Sequence, residues 1–296
     1  MPRDREYGEE HPEPRSQKSY SAILMDELAQ GLVELRRPAG GLLVSGFSAG
    51  LDIGFSVLLM AVVATAAGPQ LPSAVVDILM ANLYATGFLF VVLGRSELFT
   101  EHTTLAVFPV LGGKATTRSL VRLWGLVYLA NLVGATVFAA LLVVVGPRLG
   151  IVQAGVFGAI AEHMIGFDGR TILLSGLLAG WLMGLMSWLV AASRDTISQV
   201  FFVWLVAAAI GLGGLHHCIV GSVEVLSGLF AGQGVSMADY GHFLLWSTLG
   251  NAAGGVLFVA LLKYGHASRP AGDGPEGDAE REAEAAAADA LSSEGG

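Results

Sequence analysis

The chain contains several uninterrupted apolar blocks, each with 17 or more consecutive positions that lack aspartate, glutamate, lysine and arginine. A helix needs about 20 such residues to cross the roughly 30 Å hydrocarbon layer of a membrane. Only 14% of all residues are charged, against about 25% in soluble domains. The sequence therefore predicts an all-α protein that crosses a membrane several times.

The net charge of -9 arises mainly at the C-terminus, because residues 267–296 hold eight acids and two arginines. The rest of the chain is close to neutral, which argues against an acidic nucleic-acid mimic, and its hydropathy argues against a soluble enzyme. Cys218 is the only cysteine, so an intrachain disulfide and a multi-cysteine metal site are excluded.

Composition divides the chain into four segments. Residues 1–20 are charged and contain proline, which predicts a disordered cytoplasmic arm. Residues 21–36 have apolar side chains at helical spacing with acids between them, which favours an amphipathic interfacial helix over a disordered linker. Residues 37–266 form the predicted transmembrane domain. Residues 267–296 lack large apolar side chains, which predicts a disordered acidic cytoplasmic tail.

Six membrane spans are predicted within the transmembrane domain. They are 39–67, 78–110, 123–145, 171–193, 196–229 and 243–262. Eight lysine or arginine residues flank one side of these spans and two flank the other. Because cytoplasmic flanks keep positive charge, both termini are expected in the cytoplasm.

The second and fifth spans are too long for plain helices, and polar residues interrupt each of them. Residues 94–102 read GRSELFTEH, and residues 213–217 read GGLHH. Non-helical backbone at membrane depth persists only where protein covers it or where it lines a wet cavity. The two broken spans therefore indicate a pathway through the protein.

An internal repeat relates the two halves of the domain. A shift of 120 positions aligns Asn131 with Asn251 and superposes Glu97 on His217, and a shift of 130 aligns 45–54 with 175–184. Each repeat holds three spans, so the second copy would enter the membrane inverted. This 3+3 plan is typical of transport proteins with sites between broken helices.

Three motifs resemble the formate/nitrite transporter family: residues 94–100, 214–217 and 250–255. The stretches 98–101, 122–125 and 220–224 are most similar to the YfdC-like branch of that family. The resemblance runs from about residue 21 to residue 266. It implies an aquaporin-like protomer, a homopentamer with one pore in each protomer, and passage of small monovalent weak-acid anions such as formate or nitrite.

The resemblance also implies roles for single residues. Thr100 matches a pore threonine in the loop of the second span, His217 matches the central pore histidine, and Asn251 matches an asparagine near that histidine. Tyr84 and Phe88 match a cytoplasmic-side constriction. Ile210 matches a periplasmic-side constriction that is usually aromatic.

Several positions depart from the family pattern. Gly180 and Gly221 stand where formate channels have asparagines, and His216 stands where many members have an acid. The helix before Gly180 lacks the lysine that is thought to attract anions in other members, and Arg170 does not match its position. These departures bear on the identity of the transported solute rather than on the fold.

His217, Thr100 and Asn251 are the candidate pore and proton-relay residues. Moving a bare anion through an apolar constriction costs several kcal/mol, so protonating the anion first is favourable. A half-helix start attracts an anion, and an imidazole can supply a proton near neutral pH. The alternative reading of His217 is a packed core histidine.

Four ionisable residues are predicted to form a buried charge network, because single charges are costly at membrane depth. They are Arg95, Glu97, Glu101 and Glu224. A structural salt-bridge network is favoured over direct ion handling. Tyr84 and Phe88 lie four residues apart, a spacing that by itself is typical of core packing as much as of gating.

The leading functional hypothesis is a proton-linked channel or transporter for weak-acid anions, with small anions, protons and the lipid bilayer as its partners. The alternatives are a neutral-solute pore of the aquaporin type and a pentameric membrane scaffold or sensor that conducts little. No Asn-Pro-Ala pair occurs at either break, which disfavours the neutral-solute pore. The sequence has no enzyme signature and predicts no cofactor, metal or nucleic-acid partner.

Overall fold

The computed structural model describes residues 18–68 and 70–267, and all regular elements in these ranges are helical. The elements are α1 (Tyr20–Arg36), α2 (Ala39–Asp52), α3 (Gly54–Ala67), α4 (Ser73–Gly94), α5 (Phe99–Leu105), α6 (Phe108–Leu111), α7 (Thr117–Arg148), α8 (Ala154–Ile165), α9 (Gly169–Ala192), α10 (Thr196–Leu212), α11 (Cys218–Phe230), α12 (Met237–Gly254), a π-helix (Gly255–Leu261) and α13 (Leu262–Ala267). The all-α prediction is confirmed for these ranges. The predicted arm and tail lie almost entirely outside them.

Hydroxyl or carboxylate side chains cap the start of five of the described helices. Ser19, Thr116, Asp168, Asp195 and Ser236 each accept a hydrogen bond from a backbone N–H in the first turn of α1, α7, α9, α10 and α12. Such a cap satisfies a donor that the helix itself leaves unpaired, and each is worth about 1 kcal/mol.

Within the part of the chain that the structure describes, five segments are long and apolar enough to cross a membrane. They are Ala39–Ala67, Ser73–Gly94, Thr117–Arg148, Gly169–Ala192 and Met237–His266. The predicted fifth span is divided between α10 and α11, which have 17 and 13 residues. Neither reaches the length of about 20 residues that a single crossing needs.

Two features differ from the sequence prediction. The second span was expected over 78–110, whereas α4 begins at Ser73 and ends at Gly94, followed by the short helices α5 and α6. Helix α8 was not predicted, because its 12 residues are too few for a span. It packs against α11 and α12.

The two broken spans have matching backbone geometry. At the first break Arg95 has a left-handed φ of 55°, and at the second Gly214 has a φ of 57°. Glycine adopts this conformation freely, whereas an L side chain costs roughly 1 to 2 kcal/mol there. After each of these residues the backbone runs extended into the start of a short helix, α5 at the first break and α11 at the second.

Helix pairs α2/α7 and α9/α12 pack closely through glycine. A Cβ atom on Gly50 would lie 2.2 Å from the Asn131 carbonyl oxygen, and one on Gly180 would lie 2.1 Å from the Asn251 carbonyl oxygen. Backbone cannot yield at such distances, so both positions require glycine. The departure from the family pattern at Gly180 is therefore a helix-packing feature of this chain.

Candidate functional site

Two cavities enter the helical bundle. The first, which we call the α1 cavity, has a volume of about 950 Å³ and is lined by α1, the end of α4 and parts of α9 and α10. The second, the distal cavity, has a volume of about 560 Å³ and is lined by α8, the first half of α4 and the end of α10. Along α4, Tyr84 lines the distal cavity and Val91 lines the α1 cavity.

The side chains between the two cavities are closely packed. Phe88 lies between Tyr84 and Val91 on α4, is fully buried and lines neither cavity. Its ring centroid is 5.3 Å from that of Tyr84 and 5.3 Å from that of His217, which it meets edge-on. Phe88 and His217 therefore separate the two cavities in this conformation.

Thr100 and His217, which come from the two breaks, meet in a hydrogen bond. Thr100 Oγ1 lies 2.8 Å from His217 Nε2, and both residues are buried. Thr100 lies in the first turn of α5, and His217 is the N-cap of α11. The structure thus brings together the two residues that the sequence singled out, and it places them where two half-helices begin.

The hydrogen bonds of His217 assign its tautomer. The backbone N–H of Val220 donates to His217 Nδ1 at 3.3 Å, so Nδ1 carries no proton and Nε2 does. His217 Nε2 therefore donates to Thr100 Oγ1, which leaves the Thr100 hydroxyl hydrogen free to donate to a solute. Protonation of His217 at Nδ1 would remove the helix cap.

Two asparagines hold the breaks in place by the same set of hydrogen bonds. Asn131 Oδ1 accepts from Phe99 N, and Asn131 Nδ2 donates to the carbonyls of Gly46 and Glu97, all at 2.8 Å. In the other half, Asn251 repeats these bonds, also at 2.8 Å, with Cys218 N and with the carbonyls of Gly176 and His216.

Asn251 was predicted as a pore residue, yet its side chain bonds only to backbone in this structure. It fixes the chain on both sides of His217. The geometry gives it a positioning role.

These bonds correct the sequence alignment at the breaks. The backbone N–H of Glu97 donates to Ser45 Oγ and that of His216 donates to Ser175 Oγ, each at 3.1 Å. Glu97 therefore corresponds to His216, and not to His217 as the shift of 120 suggested. The breaks align with a shift of 119, because the second half has one more residue between its break and its asparagine.

His216 is held by hydrogen bonds on both ring nitrogens. Its Nδ1 lies 2.8 Å from Ser175 Oγ, and its Nε2 lies 3.2 Å from the Met164 carbonyl oxygen. Because a carbonyl only accepts, Nε2 is the protonated nitrogen. This histidine replaces the family's acid with a neutral hydrogen-bonded group that connects the break to α8 and α9.

The charge network differs from the predicted one. Arg37 Nη1 pairs with Glu97 Oε1 at 2.7 Å and with Glu34 Oε2 at 3.2 Å, and Glu97 also pairs with His102. The predicted partner, Arg95, is exposed and makes no ion pair with any residue in the ranges that the structure describes. It lines the α1 cavity, as Glu97 does, without pairing with that acid.

The other two acids of the predicted network lie in different places. Glu101 lines the α1 cavity with Glu34 and Glu97 and is close enough to both to interact with them electrostatically. Glu224 lies apart from the network, buried beside the distal cavity. The sequence grouped all four residues because each falls within a broken span. It missed Arg37, which was interpreted only as a flanking charge that sets orientation.

The constriction residues also differ from expectation. Tyr84 and Ile210 both line the distal cavity, although the family resemblance placed them on opposite sides. They face one another because α4 and α10 pack along their length, with Gly211 close to the Tyr84 side chain. Phe88 remains the predicted constriction residue that lies between the cavities.

Helix α1 covers the α1 cavity and is held by polar contacts. Ser187 Oγ donates to Glu27 Oε1 at 2.8 Å, while Glu27 Oε2 has no hydrogen-bond partner. Burial raises the pKa of Glu27 to about 8, and the Ser187 bond lowers it in part. Lys263 lies over the rings of Tyr20 and Trp188, at 5.4 and 5.0 Å from their centroids.

Signals for several missed residues were present in the sequence. The shift of 130 pairs Ser45 with Ser175, and the shift of 120 pairs Asn131 with Asn251. Polar residues matched between the halves turn out to be those that hold the breaks. Within 18–68 and 70–267, no group of three histidine, cysteine or acidic side chains is arranged to hold a metal ion.

Residues 22–265 match the family model described as formate/nitrite transporter. The chain belongs to the formate/nitrite transporter family. Inner membrane protein YfdC of Escherichia coli (strain K12) is 30% identical over 86% of this chain and 81% of its own length. The nitrite transporter NirC of Salmonella typhimurium (strain LT2) is 29% identical over 75% of this chain and 81% of its own length.

Solved structures of formate/nitrite transporters have the same fold. An FNT family ion channel superposes with a TM-score of 0.74 and 24% identity, covering 84% of this chain and all of its own. A pentameric formate channel with formate bound superposes with a TM-score of 0.66 and 24% identity, covering 78% of this chain and 98% of its own. NirC is a transporter and the two solved structures are channels, and none of the three is an enzyme.

Proposed function

We propose that the chain is a membrane channel or transporter for small monovalent weak-acid anions, with formate and nitrite as the first candidates. Membership of the formate/nitrite transporter family supports this function. The supporting observation in the structure is the Thr100–His217 hydrogen bond between two half-helix starts, with a cavity on either side. A small polar solute would meet these donors at the narrowest part of its route.

The proposed transport step is proton-linked. An anion that reaches Thr100 accepts a hydrogen bond from its hydroxyl, and the half-helix start favours negative charge there. A proton taken up from solvent at His217 Nδ1 makes the ring an imidazolium, which passes its Nε2 proton through the Thr100 hydroxyl to the anion and becomes neutral again. The solute is then a neutral acid, so that no bare charge crosses the apolar ring of Phe88.

We propose six membrane spans in two inverted sets of three, with α10 and α11 together forming the fifth span. Asn131 and Asn251 make equivalent sets of hydrogen bonds in the two halves, which supports the repeat. Both termini are proposed to lie in the cytoplasm, with residues 1–20 as an arm, 21–36 as an interfacial helix and 267–296 as an acidic tail. The α1 cavity would then open to the cytoplasm.

A homopentamer in the inner membrane is the proposed assembly, as in the pentameric formate channel of the same fold. The large apolar side chains that α7 exposes, among them Leu129, Val133 and Leu141, suit contact with lipid or with a neighbouring protomer.

The deciding experiment is formate and nitrite uptake into proteoliposomes at several pH values. The proposal requires saturable or channel-like uptake that protein-free liposomes lack and that rises as external pH falls. A detergent-stable pentamer without such uptake would favour a scaffold or sensor. Uptake of uncharged solutes alone would favour a neutral-solute pore.

A further inference from the structure

Glu224 is placed where a solute in the distal cavity would meet it. It lines that cavity, yet it is only 4% exposed. It lies seven residues after His217 along α11, which is about two helical turns or roughly 10 Å. His217 and Glu224 thus lie on one side of α11. His217 is at the packed region that separates the two cavities, and Glu224 is at the distal cavity.

The Glu224 carboxyl has no partner. It makes no hydrogen bond or ion pair with any residue of 18–68 or 70–267, and the residues described as lining the distal cavity include no lysine or arginine. An unpaired carboxylate is costly to bury, whereas a neutral carboxyl can remain there at much lower cost. A buried donor without an internal acceptor suits a ligand that brings one.

The titratable groups around Glu224 are few. Those that share the distal cavity with it are Asp77 and Tyr84 on α4 and His163 on α8, and His216 and His217 lie at the break before α11. Only His163 among the groups lining the cavity can become positive, and it is exposed at the cavity opening. The Tyr84 side chain is close enough to Glu224 to interact with it electrostatically.

We propose that Glu224 is the selectivity residue of the distal cavity. As a neutral acid, its hydroxyl donates a hydrogen bond to an oxygen of a small carboxylate or nitrite ion. As a carboxylate, it repels that ion. The proposal rests on the proposed anion transport and adds a second titrating residue, which acts before the solute reaches Thr100 and His217.

This arrangement predicts a pH limit set by Glu224. At low pH the carboxyl is neutral and the anion can occupy the cavity beside two donors, the Glu224 and Tyr84 hydroxyls. As pH rises, ionisation of Glu224 places a like charge at the binding position, and neither lysine nor arginine lines the described cavity to offset it. Entry of the anion from the distal cavity then decreases.

The test compares formate flux in proteoliposomes for wild type, Glu224→Gln, Glu224→Asp and Glu162→Gln. Gln keeps a neutral donor at every pH, so Glu224→Gln should carry roughly tenfold more formate than wild type near pH 8, with little difference near pH 5. Glu224→Asp should keep the wild-type profile at lower flux, because it still titrates. Glu162 is an exposed acid of α8 outside the cavity lining, and its variant should match wild type.

Overlapping pH profiles of Glu224→Gln and wild type would overturn the assignment of Glu224 and leave anion transport standing. Absence of formate flux in wild type at every pH would overturn the proposed transport. Infrared difference spectra of the wild-type protein then decide on Glu224 alone. Formate should shift the C=O band of a protonated carboxyl, and Glu224→Asp should displace that band, whereas a band that formate does not change would contradict the proposal.

Discussion

Thr100 Oγ1 and His217 Nε2 lie 2.8 Å apart, so one hydrogen bond joins the two half-helices at the centre of the bundle. His217 also caps α11 through its other nitrogen. The same imidazole therefore has a structural contact on one nitrogen and a contact toward the solute route on the other, and variants can separate these two roles.

Replacing His217 with Asn should flatten the pH dependence of flux while leaving assembly intact. Asn is among the best helix N-cap residues, so the α11 cap is kept while the titrating group is lost. Formate or nitrite flux measured from about pH 5 to about pH 8 tests this. A curve that overlays wild type would return His217 to a packing role, and His242→Asn serves as the matched control, because His242 is exposed and lines neither cavity.

Replacing Asn131 with Ala should lower stability, and Asn251→Ala should do so by a similar amount. Each change leaves several buried backbone groups at a break without partners, which should cost roughly 2 to 4 kcal/mol. Thermal unfolding of the detergent-solubilised protein measures it. Asn82→Ala is the control, because Asn82 is exposed. Equal melting temperatures for all three variants would contradict the conclusion that Asn131 and Asn251 hold the breaks in place.

Replacing Arg37 with Ala should destabilise the protein more than Arg95→Ala does. Arg37 neutralises Glu97 and also pairs with Glu34 of α1, and its loss leaves a mostly buried carboxylate with His102 alone, at a cost of roughly 1 to 3 kcal/mol. Arg95→Gly should stabilise slightly, because it removes the left-handed strain. A larger loss of melting temperature in Arg95→Ala would restore the network predicted from sequence.

Replacing Glu27 with Gln should remove a pH dependence from the docking of α1. The pKa of Glu27 in the folded state, about 8, lies above the ordinary value of 4.5. The contribution of Glu27 to stability is therefore complete below about pH 4.5 and is lost as pH rises through about 8. The Gln side chain cannot ionise. The free energy of unfolding of the variant should therefore exceed that of wild type by roughly 2 to 4 kcal/mol near pH 9 and equal it at acidic pH. Thermal unfolding across pH, with Glu162→Gln at an exposed acid of α8 as control, checks the sign.

The sequence was sufficient for the helical class, the positions of both breaks and the pair Thr100–His217. Apolar block length and polar interruptions carry that information, since membrane depth admits few alternatives. Glu97 was misaligned, because a single extra residue in the second half is invisible when both halves are rich in leucine and glycine. Hydrogen bonds of Ser45 and Ser175 were needed to find it.

The surroundings of individual side chains were the other feature that could not be predicted from the sequence. Arg95 and Glu97 are two residues apart and both line the α1 cavity. Arg95, which has the left-handed backbone, is exposed, whereas Glu97 is buried and pairs with Arg37 instead. Tyr84 and Ile210 fall on different spans, and only the packing of α4 on α10 brings them to one cavity. Short helices such as α8 also escape a search for span-length blocks.

The π-helix of Gly255–Leu261 sets the rotational phase of the last helix. A π-turn holds one residue more than an α-turn, and α13, which carries Lys263, follows it directly. Shortening this segment by one residue would turn α13 by about 100° and carry the ammonium away from Tyr20 and Trp188. The rotation of α13 about its axis therefore determines whether Lys263 contacts Tyr20 of α1, the helix that covers the α1 cavity.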